Sequence, residues 1–160
     1  MENAKAKYSL LDAKLKIEAY CAYQERCDQE VRKKLRSWNM DHEHIDILIA
    51  DLITNRFLNE ERFAEAYTSG KVNIKRWGRK KIKQNLKFKQ ISDYSINKAL
   101  KDIDHEVYWN NLMHLANKKW NALKEPNQYK KKAKLLTFLN TKGYEMDLMN
   151  EAVKEILKQD

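Results

Sequence analysis

Glycine and proline are close to absent. The 160 residues hold three Gly and one Pro, where average usage would supply about 19 of the two together. A β-sandwich spends such residues on turns at regular short intervals, so that class is excluded. Collagen-like and Gly/Pro-rich disordered classes fall with it. Long hydrophobic runs are missing too: no stretch approaches the roughly 18 apolar residues of a membrane span. Two cysteines, Cys21 and Cys27, are too few for a disulfide framework. The first sixteen residues carry Lys5, Lys7, Asp12 and Lys14 and lack the apolar centre of a secretory signal. Together these absences predict a cytoplasmic, reducing-compartment protein with no membrane association.

What remains is charged and helix-forming. Hydrophobic residues make up 42% and charged residues 34%. Leu and Ile dominate the apolar set, and Leu, Lys, Glu, Gln, Arg and Ala lose little rotamer freedom in a helix. The composition therefore predicts an all-α fold. The length suits one ordinary domain or a few small helical units, with enough core to need neither disulfide nor metal.

A repeat emerges when the apolar residues are set in register. Val31, Leu35, Met40 and Ile45 are spaced by 4, 5 and 5, as are Ile82, Leu86, Ile91 and Ile96, and again Leu135, Leu139, Tyr144 and Met149. Each set continues at helical offsets: Leu48, Ile49 and Leu52; Ala99, Leu100 and Ile103; Ala152, Val153 and Ile156. The period is 51 and then 53 residues, which implies a modular helical array. The expected fold is three tandem three-helix repeats, 1–57, 58–105 and 106–160, forming an elongated, curved array. One compact bundle is the alternative.

Within each repeat the first helix should end near Gln24, Ile74 and Leu123. The second should run over Val31–Leu35, Ile82–Leu86 and Leu135–Leu139. The third should begin near Ile45, Ile96 and Met149, with Asp41, Ser92 and Asp147 as N-caps. Arg56–Glu61 and Asp102–Glu106 read as short connections between repeats. Pro126 with Asn127, and Gly78, should part first from second helices. Gly143 suits a left-handed helix C-terminus.

Little here could carry catalysis. Gly78-Arg79-Lys80-Lys81 lacks the second glycine and the Ser/Thr of a phosphate loop. Cys21 and Cys27 are not at a metal-ligand spacing. His42 and His44 read as solvated capping residues beside Asp41 and Glu43, while His105 and His114 stand isolated. Glu60-Glu61 read as acids at a helix start. The chain is expected to be no enzyme, to bind no metal and to need no cofactor.

The informative feature is electrostatic. No Asp or Glu occurs between Thr68 and Ser92, yet that stretch holds Lys71, Lys75, Arg76, Arg79, Lys80, Lys81, Lys83, Lys87 and Lys89. Those nine charges equal the formal net charge of the whole chain, +9. Like charges on neighbouring turns repel, so an unrelieved run points to an anionic partner. The register turns Ile82 and Leu86 inward. Arg79, Lys80, Lys83 and Lys87 should then form an outward ridge. Lys130, Lys131, Lys132 and Lys134 open the corresponding helix of the third repeat, whereas Asp28-Gln29-Glu30 and Arg32-Lys33-Lys34 of the first are mixed. Trp77, inside the run, reads as core at a helix corner, with base stacking as its alternative.

Phe57-Leu58-Asn59-Glu60-Glu61-Arg62-Phe63-Ala64-Glu65-Ala66-Tyr67 resembles the aromatic-Leu-acid-acid-x-Arg-Phe-Ala-x-x-aromatic segment of the RecX regulatory protein family. Trp77-Gly78-Arg79-Lys80-Lys81-Ile82, Leu86 and Lys89-Gln90-Ile91 follow the same pattern, and Glu30-Val31-Arg32-Lys33-Lys34-Leu35 resembles its first-repeat counterpart. The resemblance spans about residues 14–157. It departs from the family at Arg56 and Gln90, where Gly is usual, and at Cys27, where Ser is common as a cap. The resemblance implies a non-enzymatic regulator of the RecA recombinase, and the chain is expected to be a monomer. Such a protein binds the RecA filament on single-stranded DNA and inhibits ATP hydrolysis and strand exchange. The alternative is a stand-alone nucleic-acid-binding protein or helix-turn-helix-like transcription regulator. The basic residues that would make either contact follow from the charge argument alone.

Overall fold

Short polar side chains start most of the helices. In the computed structural model, which describes residues 8–159, Ser9 accepts from the Asp12 amide at the start of α1 (Leu10–Tyr23). Asp41 does so for α3 (His42–Thr54), Asn59 for α4 (Glu60–Asn73) and Ser92 for α6 (Asp93–Lys101). Asp104 and Asn127 serve α7 (His105–Ala122) and α8 (Gln128–Thr141). Each satisfies a backbone N–H that a helix leaves without an internal partner. Cys27 caps α2 (Asp28–Ser37), and the Cys27 N–H donates to Glu30 Oε1 at 3.1 Å. Lys5 and Lys7, and the outermost ends of the first and third repeats, lie outside the described residues.

One helix start differs from expectation, and another has no side-chain cap. α9 (Met146–Gln159) begins before Asp147, which sits exposed in its first turn, where an acid favours the dipole rather than caps. The residue that matches Asp41 and Ser92 in register is Glu145, whose carbonyl accepts from the Met149 N–H. α5 (Arg79–Phe88) starts on Gly78, which has no side chain to cap with.

The 4,5,5 spacing becomes a corner. All twelve of its residues, from Val31 to Met149, are at most 7% exposed. The chain turns between second and third helices through a left-handed residue each time: Asn39 (φ 57°), Gln90 (φ 62°) and Gly143 (φ 92°). Arg56, which follows α3, is left-handed as well (φ 63°). The third helices begin three residues ahead of Ile45, Ile96 and Met149, because the cap and its first turn precede the first buried residue.

Each consecutive triplet packs on itself: α1 to α3, α4 to α6, and α7 to α9. All regular structure among the described residues is helical, and no described helix is long and apolar enough to cross a membrane. The buried residues form two clusters. One joins Ala13, Ile17 and Val31 through Leu52 and Leu58. The other runs unbroken from Phe63 to Ile156 and so unites the second and third triplets. Cys27 of the first triplet reaches into this second cluster. Burial pushes the Cys21 and Cys27 thiols up to about 11, which keeps both protonated and poorly nucleophilic.

Candidate functional site

The acid-free stretch folds into the end of α4, the corner after it and α5. The repeat register buries Ile82 and Leu86 completely. Lys83 and Lys87, one position on in each case, are exposed, and Lys75 and Lys80 are exposed beside them. Lys87 lies 3.9 Å from Asp93, an open surface pair of small energetic weight.

Lys71, Lys81, Lys89 and Arg79 turn to internal partners. Lys71 and Lys81 both lie over the Trp77 ring, 4.6 and 4.4 Å from its centroid. Trp77 is half-buried against the larger core, which places it at a helix corner. Lys89 lies 3.9 Å from Glu30 of the first triplet. Arg76 is left-handed (φ 54°), and its carbonyl accepts from the Tyr144 hydroxyl at 2.7 Å.

Arg79 is the largest departure from the expected ridge. Its guanidinium donates to Glu145 at 2.9 Å and lies 4.1 Å from the Tyr108 ring centroid. Its backbone N–H donates to the Tyr108 hydroxyl at 3.0 Å, and that hydroxyl donates to Glu145. Burial, and then the bond to Glu145, hold the Tyr108 phenol far above its ordinary range. Arg79 therefore points into the third triplet.

The same contact explains how α5 begins on a glycine. The Gly78 N–H donates to the Lys142 carbonyl at 2.7 Å, and the Lys80 N–H to the Gly143 carbonyl at 2.9 Å. Free donors at the start of one helix thus meet carbonyls just past the end of α8. A Cβ on Gly78 would overlap the Gly143 carbonyl, and one on Gly143 would overlap the Lys81 backbone. Glu145 and Tyr108 were not singled out in the sequence, and Tyr144 only as a core residue, because their polar partners lie 29 to 68 residues away.

On the third triplet, Lys130 and Lys132 are exposed at the start of α8. Lys131 lies 4.0 Å from the Trp120 ring centroid, and Lys134 pairs with Glu125 at 2.8 Å. Glu60 and Glu61 begin α4 but also reach α6: Glu60 accepts from the Ser92 N–H at 2.5 Å, and Glu61 accepts from Lys98 at 2.9 Å. His44 Nδ1 lies 3.4 Å from Asp41, within a helix start. Among the described residues, no three His, Cys, Asp or Glu side chains gather as a metal site would need. The exposed arrangement is a cationic surface suited to charge pairing with a polyanion.

Residues 59–100 match the family description "RecX, second three-helix domain", and residues 106–153 match "RecX, third three-helix domain". The regulatory protein RecX of Clostridioides difficile (strain 630) is 27% identical over 94% of this chain and 70% of its own length. That of Clostridium perfringens (strain 13 / Type A) is 34% identical over 84% of this chain and 64% of its own. The chain thus spans about two thirds of the length of these relatives. The crystal structure of RecX from Lactobacillus salivarius superposes with a TM-score of 0.80 at 29% identity, covering 91% of this chain and 95% of that one.

Proposed function

Because the chain belongs to the RecX family of regulatory proteins, we propose that it binds the RecA filament on single-stranded DNA and inhibits its ATPase and strand exchange. It acts in the cytoplasm, as a monomer and without catalysis of its own. Its units are the three repeats 1–57, 58–105 and 106–160. The observation that carries this reading is the exposed cationic face of α5, where Lys80, Lys83 and Lys87 stand with Lys75 and no acid in the flanking 25-residue stretch. Lys130 and Lys132 extend the charge onto the third triplet. A polyanionic filament is the partner such a face suits, and an extended array can contact more than one of its subunits.

The test is the ATPase rate of the same organism's RecA on single-stranded DNA, with this protein titrated in. Inhibition at substoichiometric amounts is expected. Lys80→Glu with Lys83→Glu and Lys87→Glu should weaken it at least tenfold. These side chains are solvated, so the helical signal should survive. Arg79 is left out of the set, since its reversal would break the Glu145 pair. An unchanged ATPase rate with folded parent protein refutes the reading.

A further inference from the structure

A second cationic site lies where the charges along the chain are of mixed sign. A groove of about 730 Å³ separates α2 from the end of α5; Lys33, Lys34, Arg36, Tyr20 and Phe88 line it, together with the paired Lys89 and Glu30. We propose that this groove binds single-stranded nucleic acid, with backbone phosphates on Lys33 and Arg36 and a base stacked on Phe88. The site lies outside the α5 ridge and does not depend on any recombinase.

The first argument is how α2 sorts its charges. Arg32 is held by Asp28 at 2.7 Å and by Asp46 at 2.8 Å. Glu30 accepts from the Cys27 N–H and faces Lys89. The acids of this helix are thus occupied locally. Lys33 and Arg36, three residues apart on one face, are exposed and make no ion pair among the described residues. Lys34 lies 5.5 Å from the Tyr20 ring centroid, and Arg26 lies 3.8 Å from it. Cations therefore dominate the wall although the sequence alternates.

The second argument is Phe88. It ends α5 at 81% exposure, against the usual burial of a phenyl ring. Gln29 Nε2 donates to the Phe88 carbonyl at 3.3 Å, which ties the backbone at the end of α5 to the start of α2. A bare aromatic beside unpaired cations is the combination that binds single strands, where phosphates meet the charges and unpaired bases meet the ring. Duplex DNA keeps its bases stacked inside and gains nothing from Phe88. An acidic protein surface would use the lysines and leave the ring in water.

The probe is a short fluorescein-labelled oligothymidylate, read by anisotropy across a salt series. Phe88→Ala should weaken binding about tenfold and leave the salt slope unchanged. Lys33→Gln with Arg36→Gln should reduce that slope by about 1.4. Lys130→Gln with Lys132→Gln, on the far triplet, should change affinity less than either. All these side chains are solvent-facing, and a thermal melt verifies folding. Unchanged affinity in Phe88→Ala, or equal affinity for a duplex of the same length, overturns the proposal. So does a Lys33/Arg36 variant that binds the oligonucleotide normally but loses DNA-free RecA, which would make the groove a protein contact. None of these readouts depends on ATPase inhibition.

Discussion

Gln90 and Arg56 occupy left-handed backbone positions, at φ 62° and 63°, that an L side chain adopts only at a steric cost of about 1–2 kcal/mol. Both are positions where the resembling family usually has Gly, so the departure from the family pattern is strain rather than a different turn. Gly143 fills the equivalent corner of the third triplet without that cost. Gln90→Gly should therefore stabilise the protein by about 1 kcal/mol, seen as a higher urea midpoint with an unchanged slope. Asn39→Gly should gain less, because Asn tolerates this region better. A lower midpoint for Gln90→Gly would show that the Gln side chain contributes more than its backbone costs. Strain of this kind was legible only as a missing glycine, since the sequence contains no record of φ.

Among the helices, the second and third of each triplet were the most legible. The 4,5,5 spacing places one residue from a helix, one from the turn and one from the next helix into a shared core, and burial follows that pattern at all three corners. The start of α9 was not legible, because its capping position holds Glu145, whose side chain is committed to Arg79 and Tyr108. For the same reason α5 could be predicted to begin at Gly78 but not to be capped by another triplet. Gly78→Ala should cost about 3 kcal/mol through overpacking, which lowers the melting temperature by about 10 °C in a chain of this size. Gly70→Ala is the control: it sits within α4 with nothing within 4 Å of its would-be Cβ and should stabilise by about 0.5–1 kcal/mol. Equal melts for the two variants would contradict the close approach at Gly78.

The whole molecule has three repeats in sequence but two hydrophobic clusters in space. Leu35 and Leu86 occupy the same register position and are both fully buried, one in each cluster. Each →Ala change should cost about 2–5 kcal/mol, with different reach. Hydrogen exchange should show Leu35→Ala loosening α1 to α3 while α4 to α9 stay protected, and Leu86→Ala loosening α4 to α9 together. Uniform loss of protection in both would mean one cooperative core. The repeat count was legible because it is written in local spacing. The fusion of two repeats was not, since it rests on contacts such as Arg79 to Glu145, 66 residues apart. The α5 ridge was legible because its charge is contiguous, whereas the α2 groove required knowing which acids Arg32 and Lys89 had taken. Where the second and third triplets meet, peptide groups bond directly to peptide groups, from Gly78 and Lys80 to Lys142 and Gly143. A load along the array would cross that joint through main chain, which mutation of surrounding side chains does not rewrite. Descendants of this chain could therefore exchange nearly every side chain on its two outer faces and keep a stiff lever, provided two positions never acquire a side chain.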